Sequence, residues 1–221
     1  MQCLVTAGPT YEPLDEVRRL TNFSTGALGC RLAAALRQAG HAVCLLLSEQ
    51  ATAAPPAGWT GNIRRFSTTQ SLHDQLAALA GPSIQAVFHA AAVSDFTFGR
   101  IYRQLAAGQL QEIHGAKIES RGAPLLAELT PTPKLLPRMA GWFPRALIVG
   151  WKYELEGTPD DALAKARRQL EEARTHACVL NGRAYGPGFA LVTPGHPPRH
   201  CDDQPALFAA LLRLLGEHPP R

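Results

Sequence analysis

Residues 4–29 read LVTAGPTYEPLDEVRRLTNFSTGALG, and the rest of the chain is understood from them. Leu4, Val5 and Thr6 form an apolar run that reads as a first strand. Ala7-Gly8-Pro9-Thr10 is too rich in Gly and Pro for a helix and reads as a turn. A charged segment follows, and then Asn22-Phe23-Ser24-Thr25-Gly26-Ala27-Leu28-Gly29 leads into a helix. A strand, a glycine turn and a hydroxyl-rich helix start suit an anion. The unpaired N–H groups of a helix's first turn point out of its N-terminus, and the dipole favours a phosphate there. Gly26 and Gly29 let phosphate oxygens approach the backbone. The spacing is neither G-x-G-x-x-G nor the lysine-bearing phosphate loop. Taken alone, the pattern equally fits a strand-to-helix turn capped by a serine, with no ligand.

Beyond this stretch, Leu28, Leu32, Ala35, Leu36 and Ala39 share one face of a predicted helix over 28–39, ended by Gly40. Residues 42–47 are continuously apolar and predict a buried second strand. The result is a βαβ unit with the glycine turn at the carboxyl end of its first strand. Residues 48–61 read as loop, 63–66 as a strand, and 72–80 as a helix capped by Ser71 or Thr69. A buried strand over 86–92 runs into Val93-Ser94-Asp95-Phe96. From 98 to 123 periodicity fades and Gly, Arg, Gln and His are frequent, which predicts a mobile excursion carrying Lys117, with strand character only near Ile113 and Ile118. Residues 125–129 fit a strand or a short helix. Residues 130–136 read as a loop entering a helix, with Pro133 at an early helical position.

Residues 146–151 predict a buried strand, and 159–175 a helix capped by Thr158, with Asp160 and Asp161 at its positive end. On that helix Arg167, Arg168, Glu171 and Glu172 read as a solvated face. A strand over 177–180 ends at Asn181, another covers 189–192, and a helix over 207–215 precedes a frayed tail. Alternating strands and helices predict an α/β fold. It is a doubly wound, mainly parallel Rossmann-like sheet with helices on both faces, in a single domain over 1–221.

Composition narrows the function. With 46% hydrophobic residues, 221 residues bury one sizeable core. Net charge is +4 and the basic residues are scattered, which suits an anionic small molecule and not a nucleic-acid track. Five cysteines without a C-x-x-C pair predict free thiols in a reducing cytoplasm. Gly8 and Pro9 interrupt the only apolar run near the N-terminus, so no signal peptide is expected. No run is long enough for a membrane span. His196, His200 and Asp202 are separated by Pro197 and Pro198, and no metal site is predicted there.

The ordered set VTAGPT, TNFSTGALG, AAAVSDF, GAKIES, TPTPKLL, GWKYELE and VLNGR resembles phosphopantothenoylcysteine synthetase, from the first strand to the last. The resemblance implies a ligase of coenzyme A biosynthesis that joins 4′-phosphopantothenate to cysteine. The carboxylate attacks the α-phosphorus of a nucleotide, giving an acyl-nucleotidylate and pyrophosphate, and the cysteine amine then displaces the nucleotide. Bacterial members of the family usually carry this domain behind a flavin decarboxylase and use CTP. Eukaryotic members stand alone and typically use ATP. This chain is expected to be a stand-alone form, and Asn22-Phe23-Ser24, AAAVSDF, TPTPKLL and WKYELE look more like the eukaryotic branch. ATP or CTP with Mg2+, and a homodimer with 98–123 as a lid or dimer segment, are further implications.

The resemblance also assigns residues. Asn22 matches the asparagine at the activated carbonyl, where an amide donates a hydrogen bond without ionising. Lys117 matches the first lysine of a K-x-K-K loop and would neutralise phosphate charge. These two are the expected catalytic residues. Gly8, Thr10, Ser24 and Gly26 are assigned to the nucleotide from the glycine turn and helix entry, the amides around Gly8 and Thr10 holding anionic oxygens. Ala91, Ala92 and Asp95 are assigned to it from the AAAVSDF segment, Asp95 by ribose or metal contact. Pro133 and Lys134 follow from TPTPKLL. Trp151 stands where the family has phenylalanine, as an aromatic contact, and Lys165 matches a nucleotide-site lysine. Asn22, Ala92 and Asn181 are assigned to the acid substrate.

The chain departs from the bacterial pattern in having Glu119 and Ser120 for two further lysines. Pro9 replaces a more usual glycine and removes an N–H donor. A non-catalytic nucleotide-binding homologue would keep the same pocket. A short-chain-dehydrogenase-like NAD(P) enzyme shares the scaffold, but its Tyr-x-x-x-Lys pair and G-x-G-x-x-G are missing.

Overall fold

The computed structural model describes residues 1–218 except 56, 57, 60, 106, 107 and 120. The chain opens with β1 (Gln2–Ala7), then a small hairpin of β2 (Tyr11–Pro13) and β3 (Arg19–Thr21) built from the charged segment. Helix α1 (Ala27–Gln38), β4 (Ala42–Ser48), β5 (Asn62–Phe66), α2 (Thr69–Ala78) and β6 (Ala86–His89) follow. Next come β7 (Phe96–Gln104), β8 (Leu110–Ile113), β9 (Leu125–Pro131) and the short α3 (Met139–Trp142). The chain closes with β10 (Leu147–Tyr153), α4 (Pro159–Ala173), β11 (Ala177–Asn181), β12 (Phe189–Val192), β13 (Arg199–Cys201) and α5 (Gln204–Glu217).

Among the described residues, eight strands form the central sheet in the order β13-β12-β11-β10-β6-β1-β4-β5. Strands β5, β4, β1, β6, β10 and β11 are parallel, and β12 and β13 add an antiparallel edge. Cys3, Val5 and Val149 turn one way, under α1 and α5. Leu4, Phe66 and Ile148 turn the other way, under α2 and α3, and Cys178 and Leu180 lie under α4 on that side. Burial on both faces is why these strands read as unbroken apolar runs. The winding reverses between β1 and β6, which makes the carboxyl ends of these strands the switch point where open α/β sheets take ligands.

All five cysteines are unpaired and buried. Burial pushes the Cys3 thiol up to about 11 and that of Cys178 up to about 12. No described helix is long and apolar enough to cross a membrane.

Several local expectations change. Helix α2 starts earlier than expected, and its cap is Thr68, not Ser71 or Thr69. The Thr68 hydroxyl accepts the Ser71 amide at 3.1 Å, so Ser71 is the residue being capped. The segment 98–123 holds more strand than the short stretches expected near Ile113 and Ile118: the one near Ile113 is present as β8, and β7 is added before it. Strands β7, β8 and β9 form a separate antiparallel sheet, with a register shift between Phe98 and Ile101. Its strands are mostly exposed on both faces, so nothing imposes the alternation that marks a half-buried strand. The choice at 125–129 resolves as strand. Pro133 lies in a loop, and Pro137 instead occupies the start of the 3₁₀ turn Leu136–Arg138. Of the frayed tail expected over 218–221, His218 is described and sets its ring edge-on to His176, while residues 219–221, and Ser120, lie outside the described residues.

The helix start also differs from expectation. α1 is capped by Gly26, in the left-handed conformation and without a side-chain cap, while Thr25 Oγ1 takes the Ala27 amide at 3.3 Å. A side chain at Gly26 would run into Ala51 and the Gly8 backbone. At Gly29 a Cβ would lie 2.5 Å from the Ala7 Cβ and 3.2 Å from the Thr6 carbonyl oxygen, so this glycine lets α1 sit against β1. Helix propensity favours alanine over glycine by about 1 kcal/mol, but overpacking costs roughly 1–3 kcal/mol. Gly29→Ala is therefore expected to lower the urea midpoint. An unchanged or higher midpoint would show that α1 can move off β1 at no cost.

Candidate functional site

Strand β6 ends at His89, and the chain beyond it is stitched to the glycine turn. Ala91 donates its N–H to Thr6 Oγ1 at 3.1 Å, Ala92 donates to the Gly8 carbonyl at 3.0 Å, and Thr10 donates back to the Ala92 carbonyl at 3.1 Å. The buried Thr10 hydroxyl accepts the Ser94 amide at 2.8 Å and donates to Ser94 Oγ at 3.1 Å. Thr132 grips the far side, its hydroxyl donating to the Ser94 carbonyl and its amide to the Asp95 carbonyl. The segment after β6 is thus a fixed ledge rather than a loose loop, and Asp95 stands at its rim.

Under the rim lies a cleft of about 650 Å³, between this ledge, the loop after β9, the end of β10 and α4. The exposed Asp95 carboxylate accepts a charged hydrogen bond from Lys134. Glu154 is largely buried and pairs with Lys165 at 2.5 Å and Lys152 at 3.2 Å. Burial alone would raise the Glu154 carboxyl, but the bonds from Lys165 and Lys152 outweigh it and hold the group below the usual carboxylate range. Lys134, Lys152, Lys165 and Arg168 face three carboxylates in this lining, a mildly cationic surface with displaceable partners. Trp151 adds an aromatic wall, and its indole N–H is buried with no partner among the described residues.

The predicted residues divide into groups. Ala91, Asp95, Pro133, Lys134, Trp151 and Lys165 line the cleft together. Gly8, Thr10, Ser24, Gly26 and Asn22 belong to the neighbouring side of the ledge, around the end of β1. Ala92 joins the two sides, because Asn22 Nδ2 also donates to its carbonyl, at 3.0 Å. The Thr10 amide and hydroxyl are directed at Ala92 and Ser94, and Gly8 and Gly26 stand against each other. The donors assigned to an anion at Thr10 are therefore already bonded within the protein. Ser24 is half-buried and does not cap the helix. Asn181 ends β11 outside the cleft lining, and its carbonyl accepts the Glu154 amide at 2.9 Å.

Lys117 is exposed on a bend away from the cleft, but that bend is anchored. The Asp15 side chain is fully buried. It accepts the amides of Val17, Arg18 and Ile118 and the Arg18 guanidinium, which also donates to the Ile118 carbonyl at 2.7 Å. The Arg18 guanidinium and these amides hold the Asp15 carboxyl far below its usual range. Asp15→Ala is expected to release the bend: hydrogen exchange at the Ile118 amide should accelerate and tryptic cleavage after Lys117 should come sooner. Unchanged exchange would mean that other contacts hold this loop.

Sequence reasoning missed His89, Lys152, Glu154, Arg168, Gln169 and Glu172 as cleft residues. A signal was present on α4, where Lys165, Arg168, Gln169 and Glu172 recur at i, i+3, i+4 and i+7. Such a polar stripe looks identical whether it faces bulk water or a ligand cleft.

Comparison with known proteins identifies the family and the fold. Residues 1–193 match the family described as DNA/pantothenate metabolism flavoprotein C-terminal domain. The coenzyme A biosynthesis bifunctional protein CoaBC of Thermococcus kodakarensis is 32% identical over 184 residues, covering 83% of this chain and 42% of that protein. The phosphopantothenate–cysteine ligase of Homo sapiens is 31% identical, over 80% of this chain and 71% of that protein. The chain thus spans less than half of the bifunctional relative. The crystal structure of the DNA/pantothenate metabolism flavoprotein from Streptococcus pneumoniae superposes with a TM-score of 0.88 at 26% identity, covering 99% of this chain and all of that one. On the match over residues 1–193 and the shared sheet, this chain belongs to the DNA/pantothenate metabolism flavoprotein C-terminal domain family.

Proposed function

We propose that this chain is a phosphopantothenate–cysteine ligase of coenzyme A biosynthesis, working in the cytoplasm through an acyl-nucleotidylate. The observation that carries the reading is the continuity of the two half-sites. Ala92 takes Asn22 on one side, and on the other the same ledge presents Asp95 and its Lys134 partner to the cleft. An amide at an acyl group next to a lysine-lined cleft is the arrangement that carboxylate activation by a nucleotide needs, since positioning and charge stabilisation supply most of the rate.

In this reading the nucleotide, ATP or CTP, occupies the cleft. Lys134 and Lys165 exchange their carboxylate partners for phosphate oxygens, and Trp151 contacts the nucleoside. The pantothenate carboxylate attacks the α-phosphorus and pyrophosphate leaves. The cysteine amine then attacks the acyl carbon and expels the nucleoside monophosphate, with Asn22 donating to the acyl oxygen. Bound Mg2+ would neutralise triphosphate charge. Asp95 fits such an ion, being exposed in the cleft and held only by a lysine, whereas Glu154 is enclosed between two ammonium groups. Exposed apolar side chains on the β7–β9 sheet, Phe96, Leu110, Leu126 and Leu129, favour a homodimer in which this arm and Lys117 close over a site.

The test is pyrophosphate release with ATP and with CTP, each with and without 4′-phosphopantothenate and cysteine, alongside the mass in solution. Release that needs both substrates and a dimeric mass are expected, with ATP active and CTP tolerated. Nucleotide binding without pyrophosphate release would leave a non-catalytic homologue. Strong CTP preference with ATP inert would overturn the nucleotide assignment.

A further inference from the structure

His89 closes β6 on the face of the sheet that carries α4, and it lines the cleft while only 7% exposed. Its neighbours across the sheet are Thr6 on β1 and Gly150 on β10. Gly150 offers no side chain. A Cβ there would come within 3.0 Å of Gln169 Nε2 and 2.9 Å of Leu136 Cδ2. The imidazole therefore sits between a hydroxyl and a bare stretch of backbone, with Gln169 leaning in from α4.

The Thr6 hydroxyl fixes the state of the ring. Thr6 is fully buried, and its Oγ1 lies 2.9 Å from His89 Nδ1 while accepting the Ala91 amide at 3.1 Å. A hydroxyl has one proton to donate. Among the described contacts of Thr6 Oγ1, His89 Nδ1 is the one acceptor for that proton. Nδ1 then accepts, and in a neutral imidazole the ring proton sits on Nε2. Burial keeps the ring neutral, its pKa pushed down to about 4. The cleft therefore holds an oriented, uncharged N–H donor in its wall, apart from the lysines that serve Asp95 and Glu154.

We propose that His89 Nε2–H binds a neutral acceptor atom of the nucleoside, so that the nucleoside end of the nucleotide lies against β6 and Gly150 while its phosphates lie toward Lys134 and Lys165. This rests on the nucleotide reading of the cleft. A buried neutral donor suits a base or ribose acceptor, whereas a phosphate placed there would be desolvated without a counter-charge.

The experiment compares wild type with His89→Leu, which removes the donor at similar bulk, His89→Gln, whose amide nitrogen can reach the Nε2 position, and Lys134→Gln. Affinities for ATP, AMP, CTP, CMP and inorganic pyrophosphate are measured by calorimetry. His89→Leu is expected to weaken triphosphate and monophosphate of the same nucleoside by the same factor, about tenfold, the order of one neutral hydrogen bond. Pyrophosphate should be unaffected and His89→Gln should recover most of the loss. Lys134→Gln should weaken triphosphate and pyrophosphate more than monophosphate. If His89→Leu weakens pyrophosphate as much as nucleotide, or leaves every affinity unchanged, the inference is overturned while the nucleotide site stands. If wild type binds no nucleotide, the reading of the cleft itself fails. Should the leucine variant not fold, ¹⁵N spectra of the wild-type histidine decide the matter. A protonated Nε2 whose resonance moves on adding nucleotide but not pyrophosphate supports the inference, and a protonated Nδ1 or an unmoved resonance overturns it.

Discussion

Asn22→Asp and Lys117→Gln are each expected to lose turnover by roughly 10²–10³, the usual cost of one catalytic donor, but in different half-reactions. Asn22 reaches the ledge through its amide nitrogen on the Ala92 carbonyl. An aspartate keeps the shape and loses the donor, and its charge faces both that carbonyl and the acyl oxygen it should support. Activation should proceed while amine attack slows, so the acyl-nucleotidylate accumulates. Lys117 is held on a bend anchored by Asp15, with its side chain exposed. If it neutralises phosphate charge, its loss slows activation and little intermediate forms. Rapid quench with labelled nucleotide, following pyrophosphate, nucleotidylate and product separately, distinguishes the two. Equal loss of activation in both variants would refute the division of labour, and near-normal turnover in both would remove them from the site.

The second large effect concerns acid stability. His89 is neutral in the folded chain down to about pH 4, against an ordinary value of 6.5. The folded value is the lower one, so the unfolded chain binds a proton first as pH falls. Stability is full above about 6.5, declines between 6.5 and 4, and levels off below that, for a total of about 3 kcal/mol. His41 shifts in the same direction through burial and adds to the decline. Asp15 acts in a lower window, because its folded value is depressed and its contribution is lost only as the carboxyl protonates, below the ordinary aspartate range. Urea titrations from pH 7.5 to 4 should show the decline in wild type and a much flatter course in His89→Leu. Equal slopes in the two would show that the buried imidazole does not control this window.

The parallel core was legible in the sequence because burial on both faces leaves no choice of residue. The Thr158 cap of α4 was legible because a cap acts on amides next to it in the chain; the structure adds the reciprocal bond to Asp161 that completes a capping box. The β2–β3 hairpin and the pairing of the β7–β9 arm were not legible. Their residues are largely exposed, so composition carries little trace of pairing. Cleft residues were legible where an ordered motif flagged them, as with Asp95 and Lys134. Where only charge on a helix marked them, as with Arg168 and Glu172, the same residues fit an ordinary wet surface. At the glycine turn the close packing was not legible. Ala51 stands against Gly8 and Gly26, Ala7 stands against Gly29, and the Thr10 amide goes to the Ala92 carbonyl, none of which a local pattern reveals.

The placement of the sulfurs has a chemical consequence for the proposed ligation, whose amine substrate would carry a thiol. Disulfide exchange begins with a thiolate, and its rate follows how much of the sulfur is deprotonated and how readily it can be approached. With thiols pushed to about 11 and about 12, Cys3 and Cys178 hold roughly one thiolate in 10⁴ or fewer at neutral pH. All five sulfurs lie within the packed interior. The folded chain can therefore sit in a pool of free cysteine and cystine without exchanging sulfur with either, and in the proposed reaction the nucleophile left to react is the amine.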